Sequence, residues 1–79
     1  MNWKEHISTD QGVLLGKPII KGTRISVELI LDRLADGWTH EDLLRAYPKL
    51  TQQGLQAVFA FASEIMRDEE YVALEKLSA

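Results

Sequence analysis

Gly16-Lys17-Pro18-Ile19-Ile20-Lys21-Gly22-Thr23-Arg24-Ile25 divides this chain into two kinds of sequence. Ahead of it lie short apolar runs broken by turn residues, and behind it lie long stretches with helical spacing. Pro18 lacks an N–H and biases Lys17 towards extended geometry, so residues 17–20 are expected as extended chain or an edge strand. Gly22 is expected in a conformation closed to residues with a Cβ, turning the chain before Thr23-Arg24-Ile25. Ser26 follows as a helix N-cap, with Glu28 in the first turn where the helix dipole favours an anion.

Towards the N-terminus, Ile7-Ser8-Thr9 and Val13-Leu14-Leu15 read as two short strand-like runs around the turn residues Asp10-Gln11-Gly12. They are expected to form a small hairpin. So short a ribbon is barely stable alone in water, so it must lie on the helices or pair with another chain.

Towards the C-terminus, Val27, Ile30, Leu31, Leu34 and Trp38 keep the spacing of one helical face, and Asp36-Gly37 closes that helix with Gly37 as a left-handed residue. Thr39 caps a second helix of about two turns, with Asp42 three residues on as a capping-box analogue and Pro48 as its stop. Thr51 opens a third, longer helix whose apolar face is expected to hold Leu55, Val58, Phe59, Ala62 and Met66, widened by Phe61 and Ile65. The expected organisation is one domain over 1–79. Residues 1–25 form strands and a basic Gly/Pro loop, 26–70 a helical core, and 71–79 a C-terminal tail, helical or docked elsewhere.

A chain of 79 residues without cysteine buries only roughly 60–65% of its unfolded surface, which leaves it marginally stable alone. With 46% hydrophobic residues it has material for an interface, and a homodimer is expected. No apolar run approaches the roughly 18 residues of a membrane span, so a cytoplasmic protein with no membrane contact is expected.

The net charge is −3, which argues against binding nucleic acid by bulk electrostatics. The charges are unevenly distributed. Residues 1–27 carry Lys4, Lys17, Lys21 and Arg24 against Glu5 and Asp10, whereas residues 64–79 carry Glu64, Asp68, Glu69, Glu70 and Glu75 against Arg67 and Lys76. A basic front and an acidic tail suit partners with local charge preferences, and an unevenly charged but solvated surface explains them as well.

The loop 16–25 invites comparison with a phosphate-binding P-loop, and fails it. That motif needs four residues between its glycines and a Gly-Lys-Ser/Thr ending, whereas five residues separate Gly16 from Gly22 and the lysine precedes the second glycine. Two readings survive: a turn that positions the first helix, favoured because glycine and proline already account for the backbone, or a basic loop that meets a phosphate backbone or an acidic protein surface. His6 and His40 have no further ligands at metal-binding spacing. Asp32 and Asp36, four apart, read better as a solvated helix face than as a Mg²⁺ pair. No serine has the context of an activated nucleophile. No enzyme, cofactor or metal site is expected.

The short helix, the connection Tyr47-Pro48-Lys49-Leu50 and the longer helix after Thr51 have the proportions of a helix-turn-helix, with the first helix packing across both in a homeodomain-like core. In such a unit the third helix enters the major groove. Gln52, Gln53 and Gln56 are placed to read bases, glutamine being able to pair with adenine N6/N7. Phosphate contacts would fall to Lys49, to Arg45 or to Lys21 and Arg24 of the front loop. So few cations would bind weakly per protomer and would need a dimer's avidity.

The chain resembles the small prokaryotic proteins of domain-of-unknown-function family four-three-three. Their loop reads Gly-Lys/Arg-Pro-x-Ile/Val-x-Gly-Thr-Arg-Ile/Val, followed by a helix, a glycine break and a Tyr-Pro-x-Leu-Thr connection. Here these are Gly16-Lys17-Pro18, Gly22-Thr23-Arg24-Ile25, Gly37 and Tyr47-Pro48-Lys49-Leu50-Thr51, and the resemblance spans about three quarters of the chain. It implies a mainly helical, homeodomain-like helix-turn-helix fold with a short N-terminal β segment. It further implies an antitoxin that silences a PIN-like toxin, a candidate ribonuclease, and that binds its own promoter DNA as a dimer. Tyr71, Val72, Leu74 and Leu77 in the acidic tail are the candidate toxin contacts. A protein-interaction module with no nucleic-acid role is the alternative.

Overall fold

The computed structural model describes residues 1–70. Two short strands, β1 (Ile7–Ser8) and β2 (Ile19–Ile20), precede three helices, α1 (Val27–Ala35), α2 (His40–Ala46) and α3 (Gln52–Ile65). A wider turn, Met66–Glu70, ends the described chain. The fold is therefore mainly helical with a short N-terminal hairpin, as the resemblance implies; the expected tail, 71–79, lies outside the described residues.

The hairpin forms with a different second arm from the one its apolar runs suggest. β1 pairs antiparallel with β2, Ile7 opposite Ile20 and Ser8 opposite Ile19. Val13 makes only a single bridge back to Asp10. Beyond it the backbone turns left-handed at Leu14, Leu15 and Gly16, with φ of 50°, 56° and 82°. Burial decides between the two arms. Ile19 and Ile20 are 3% and 6% exposed, whereas Leu15 is 89% exposed. Left-handed backbone costs about 1–2 kcal/mol per residue that carries a Cβ, and two consecutive leucines bear that cost here.

β2 is held on both flanks. Lys21 N–H donates to the His6 carbonyl at 2.8 Å on one side; on the other, Ile20 N–H donates to Ile25 O at 2.8 Å and Val27 N–H to Pro18 O at 3.0 Å. Gly22, φ 77°, sits in the turn between them. The Thr23 hydroxyl closes this turn, donating to Ile20 O at 2.8 Å and accepting from Ile25 N–H at 3.0 Å. The chain arrives at Ser26 already aimed into α1, and Ser26 Oγ accepts from Leu29 N–H at 2.9 Å.

The remaining helix ends form from local sequence as expected. Gly37, φ 94°, closes α1 in a Schellman motif, with Trp38 N–H donating to Arg33 O and Gly37 N–H to Leu34 O, both at 3.0 Å. Thr39 and Asp42 form a full capping box on α2. Thr51 Oγ1 accepts from Gly54 N–H at 2.9 Å to start α3.

Each element supplies the core: Ile7 and Ile20 from the hairpin, Val27 and Ile30 from α1, Leu43 from α2, and Leu55, Ala57 and Val58 from α3, with Leu50 from the connection. The buried face of α3 is rotated from the expected one. Gly54 and Ala57 belong to it, while Phe59 and Met66 stand 43% and 54% exposed. The N-terminal turn Trp3–Glu5 causes the rotation. Trp3 packs edge-on against Phe61 at 4.8 Å and donates from Nε1 to Glu64 at 3.1 Å, so it covers that side of α3. Phe59 rests instead beside the His40 ring at 5.9 Å.

Nothing lies within 4 Å of a Cβ built on Gly22, so a side chain there has room and only the backbone objects. Gly22→Ala should lower unfolding stability in urea by about 1–2 kcal/mol, and Gly22→Asn by less, because asparagine tolerates left-handed geometry.

Candidate functional site

The two motifs that are distant in sequence meet in space. A Cβ on Gly54 would lie 3.5 Å from Leu50 Cδ1 and 3.9 Å from Ile20 Cδ1, ordinary contact distances that place Ile20 and Leu50 over the first turn of α3. That contact draws the Thr23-Arg24-Ile25 segment alongside Tyr47-Pro48-Lys49, and together with Leu29 and Ala46 they line a groove of about 530 Å³. Arg24 and Lys49 also line a second concavity of about 410 Å³, together with Ser8, Asp10 and the Gly22 turn.

A family model described as a protein of unknown function, DUF433, matches residues 7–62. The chain belongs to the DUF433 family. The match takes in the hairpin, both motifs and α1 and α2, and it stops within α3 at Ala62, before the acidic segment begins. No curated protein and no solved structure matches the chain.

In this DUF433 fold the sequence-derived candidates divide into three groups. Arg24 and Lys49 are both exposed and share the two concavities. Gln52, Gln53 and Gln56 are exposed on the first turns of α3, directly after Lys49 in the chain. Lys21 is exposed but lines neither concavity; its Nζ donates to the Lys4 carbonyl at 3.3 Å. Tyr71, Val72, Leu74 and Leu77 lie outside the described residues. Lys17 is engaged with Glu28 at 3.1 Å, in a pair more than half exposed on both sides that contributes little to stability. Among the described residues, no carboxylate lies within 4 Å of Lys21, Arg24 or Lys49. Asp10 beside Arg24 and Lys49 makes the second concavity mixed in charge.

Sequence reasoning missed the apolar part of the DUF433 groove. Ile25, Leu29 and Tyr47 are half-buried in it, and Tyr47 stacks on Trp38 at 6.4 Å with Arg33 over the far ring at 5.3 Å. Helical periodicity marks Tyr47 only as an apolar face residue. The one signal that could have placed it at a site was the co-occurrence of the two motifs. Chemically, the groove offers an apolar floor, one phenol and two cations, which suits an anionic partner that also presents apolar or planar groups.

The helix that carries Tyr47 and Lys49 to the groove is anchored at its start by Asp42. The Thr39 backbone N–H and then its hydroxyl hold the Asp42 carboxyl below its ordinary value of 3.8, with Arg45 adding a smaller effect. A carboxyl with a lowered folded value stabilises above its unfolded value, and that contribution is lost as pH falls through the folded one. An NMR titration should therefore find Asp42 titrating below 3.8. Asp42→Asn should remove this part of the acid sensitivity of α2 without changing stability differences between pH 6 and 8.

Proposed function

We propose that this DUF433 protein is an antitoxin-like regulator that binds and neutralises a PIN-like ribonuclease toxin and represses its own operon by contacting DNA. The observation that carries the DNA half is the convergence of Arg24 and Lys49 on one groove walled by the connection that leads into α3. There the two cations anchor phosphates, and Gln52, Gln53 and Gln56, exposed just beyond them, reach base edges. Phosphate contacts fix register and base contacts supply sequence preference. With two cations at the groove, binding per protomer is weak, and paired half-sites on a dimer supply the affinity.

The neutralising half is assigned to the C-terminal segment, where Tyr71, Val72, Leu74 and Leu77 provide apolar contacts. The acids Asp68, Glu69, Glu70 and Glu75 suit a basic ribonuclease surface. One feature favours the other reading, a protein-interaction module without DNA. The groove floor of Ile25, Leu29 and Tyr47 is apolar, as a peptide-binding cleft would be.

Binding to the DNA upstream of the protein's own gene, measured across salt concentration, separates the two. Under the repressor reading log affinity falls linearly with log salt, and Arg24→Ala or Lys49→Ala each lowers the slope by about 1. A flat or absent signal removes DNA from the function. The antitoxin half is tested by growth rescue. Co-expression with a PIN-like neighbouring reading frame should restore growth, and a chain ending at Glu70 should fail to do so. Rescue undiminished by that truncation would move neutralisation to the folded body.

A further inference from the structure

Arg24 and Lys49 differ from every other described lysine and arginine. Lys17 pairs with Glu28, and Arg45 with Asp42. Lys21 donates to the Lys4 carbonyl and Arg67 to the Ser63 hydroxyl, while Lys4 and Arg33 lie over the rings of Trp3 and Trp38. Among the described residues, Arg24 and Lys49 alone of these cations make no side-chain hydrogen bond, ion pair or ring contact. Both line the same two concavities, and Thr23 lines both as well, so the two hollows adjoin along one cationic ridge.

The two sides of this ridge differ in kind. On one side Ile25, Leu29 and Tyr47 are half-buried and form an apolar floor. On the other lie Ser8 and Asp10. Asp10 Oδ1 accepts from Gly12 N–H at 2.9 Å, which holds the carboxylate in place. Among the described residues, neither Asp10 Oδ2 nor the Ser8 hydroxyl has a hydrogen-bond partner. We propose that the double hollow binds a ribonucleoside monophosphate. The phosphate sits on Arg24 and Lys49, the base against Ile25, Leu29 and Tyr47, and the ribose hydroxyls on Asp10 and Ser8. Phosphate is held well by charge-assisted bonds from such cations. An ionised carboxylate only accepts, so Asp10 beside an anion site calls for a hydroxyl donor on the same ligand. A bare anion leaves the apolar floor empty, and an acidic peptide brings further carboxylates towards Asp10. The combination of an apolar hollow and a few convergent polar groups is that of a small-molecule site. The inference stands whether or not the chain binds DNA. Because the two cations are those assigned above to DNA phosphates, the nucleotide and DNA exclude each other.

The test is an NMR titration of the full, DNA-free chain with AMP at low salt. AMP should shift the amide signals of Ser8, Asp10, Arg24, Ile25, Tyr47 and Lys49 together and saturably. Adenosine and inorganic phosphate should each bind at least about tenfold more weakly than AMP. Arg24→Ala and Lys49→Ala should each weaken AMP by about tenfold and leave adenosine unchanged. The deoxyribose analogue dAMP should bind about fivefold more weakly than AMP. Asp10→Asn, which keeps the Oδ1 acceptor for Gly12, should remove that preference. All three substituted side chains are exposed, so the variants keep the fold. Gln52→Ala with Gln56→Ala should leave AMP affinity unchanged while removing any base preference on DNA, so either reading can fail without the other. The absence of shifts at millimolar AMP would overturn the proposal. So would inorganic phosphate that binds as tightly as AMP, which would make the ridge a plain anion patch, or AMP affinity that survives both cation variants. An acidic, tyrosine-bearing peptide that binds where AMP does not would give the groove to a protein partner instead.

Discussion

Ile20 and Leu50 close over Gly54, and this contact joins the three parts of the chain that have least to do with one another in sequence. Ile20 belongs to the hairpin, Leu50 to the connection after α2, and Gly54 to the first turn of α3. A Cβ on Gly54 would press on the Thr51 hydroxyl, at 3.3 Å, and would meet the two apolar residues at ordinary contact distance, so the tight constraint at this position is the helix cap. Glycine inside a helix ordinarily costs about 1 kcal/mol relative to alanine; here it leaves the capping hydroxyl of Thr51 unobstructed.

The rest of the stability rests on short-range devices more than on surface charge. The ion pairs Lys17–Glu28 and Arg45–Asp42 are exposed or weak, the second at 3.9 Å. Against that, each of the three helices starts on a hydroxyl cap and the first ends on a Schellman turn. In a chain with no cysteine, these caps and a core to which each strand and helix contributes at least one buried side chain hold the fold. Such a fold gains from any contact that covers further apolar surface.

What could be read from the sequence follows the same division between local and distant physics. Ser26, Gly37, Thr39, Asp42 and Thr51 act on groups within four residues of themselves, and their roles were legible as written. The hairpin partner was not, because Val13-Leu14-Leu15 and Ile19-Ile20 are equally apolar, and only the helices beneath them decide which pair is buried. The rotation of α3 was hidden for a similar reason: Trp3, near the start of the chain, chooses the face by covering Phe61. Of the candidate site, exposure of Lys49 and the three glutamines was predictable from their position at a helix start. Its pairing of Arg24 with Lys49 depends on Ile20 reaching Gly54, which no spacing rule encodes.

The bond from Trp3 Nε1 to Glu64, spanning 61 positions, makes the beginning of the chain and the end of α3 a single neighbourhood. The indole ring thereby becomes a built-in optical reporter. A molecule that grips the segment leaving α3 disturbs Glu64 and Phe61, and the change reaches Trp3 as a shift in its fluorescence, with Trp38 in a separate environment beside Tyr47. The same proximity means that a purification tag placed ahead of Met1 starts near the end of α3, whereas the Arg24 groove is built from other residues altogether.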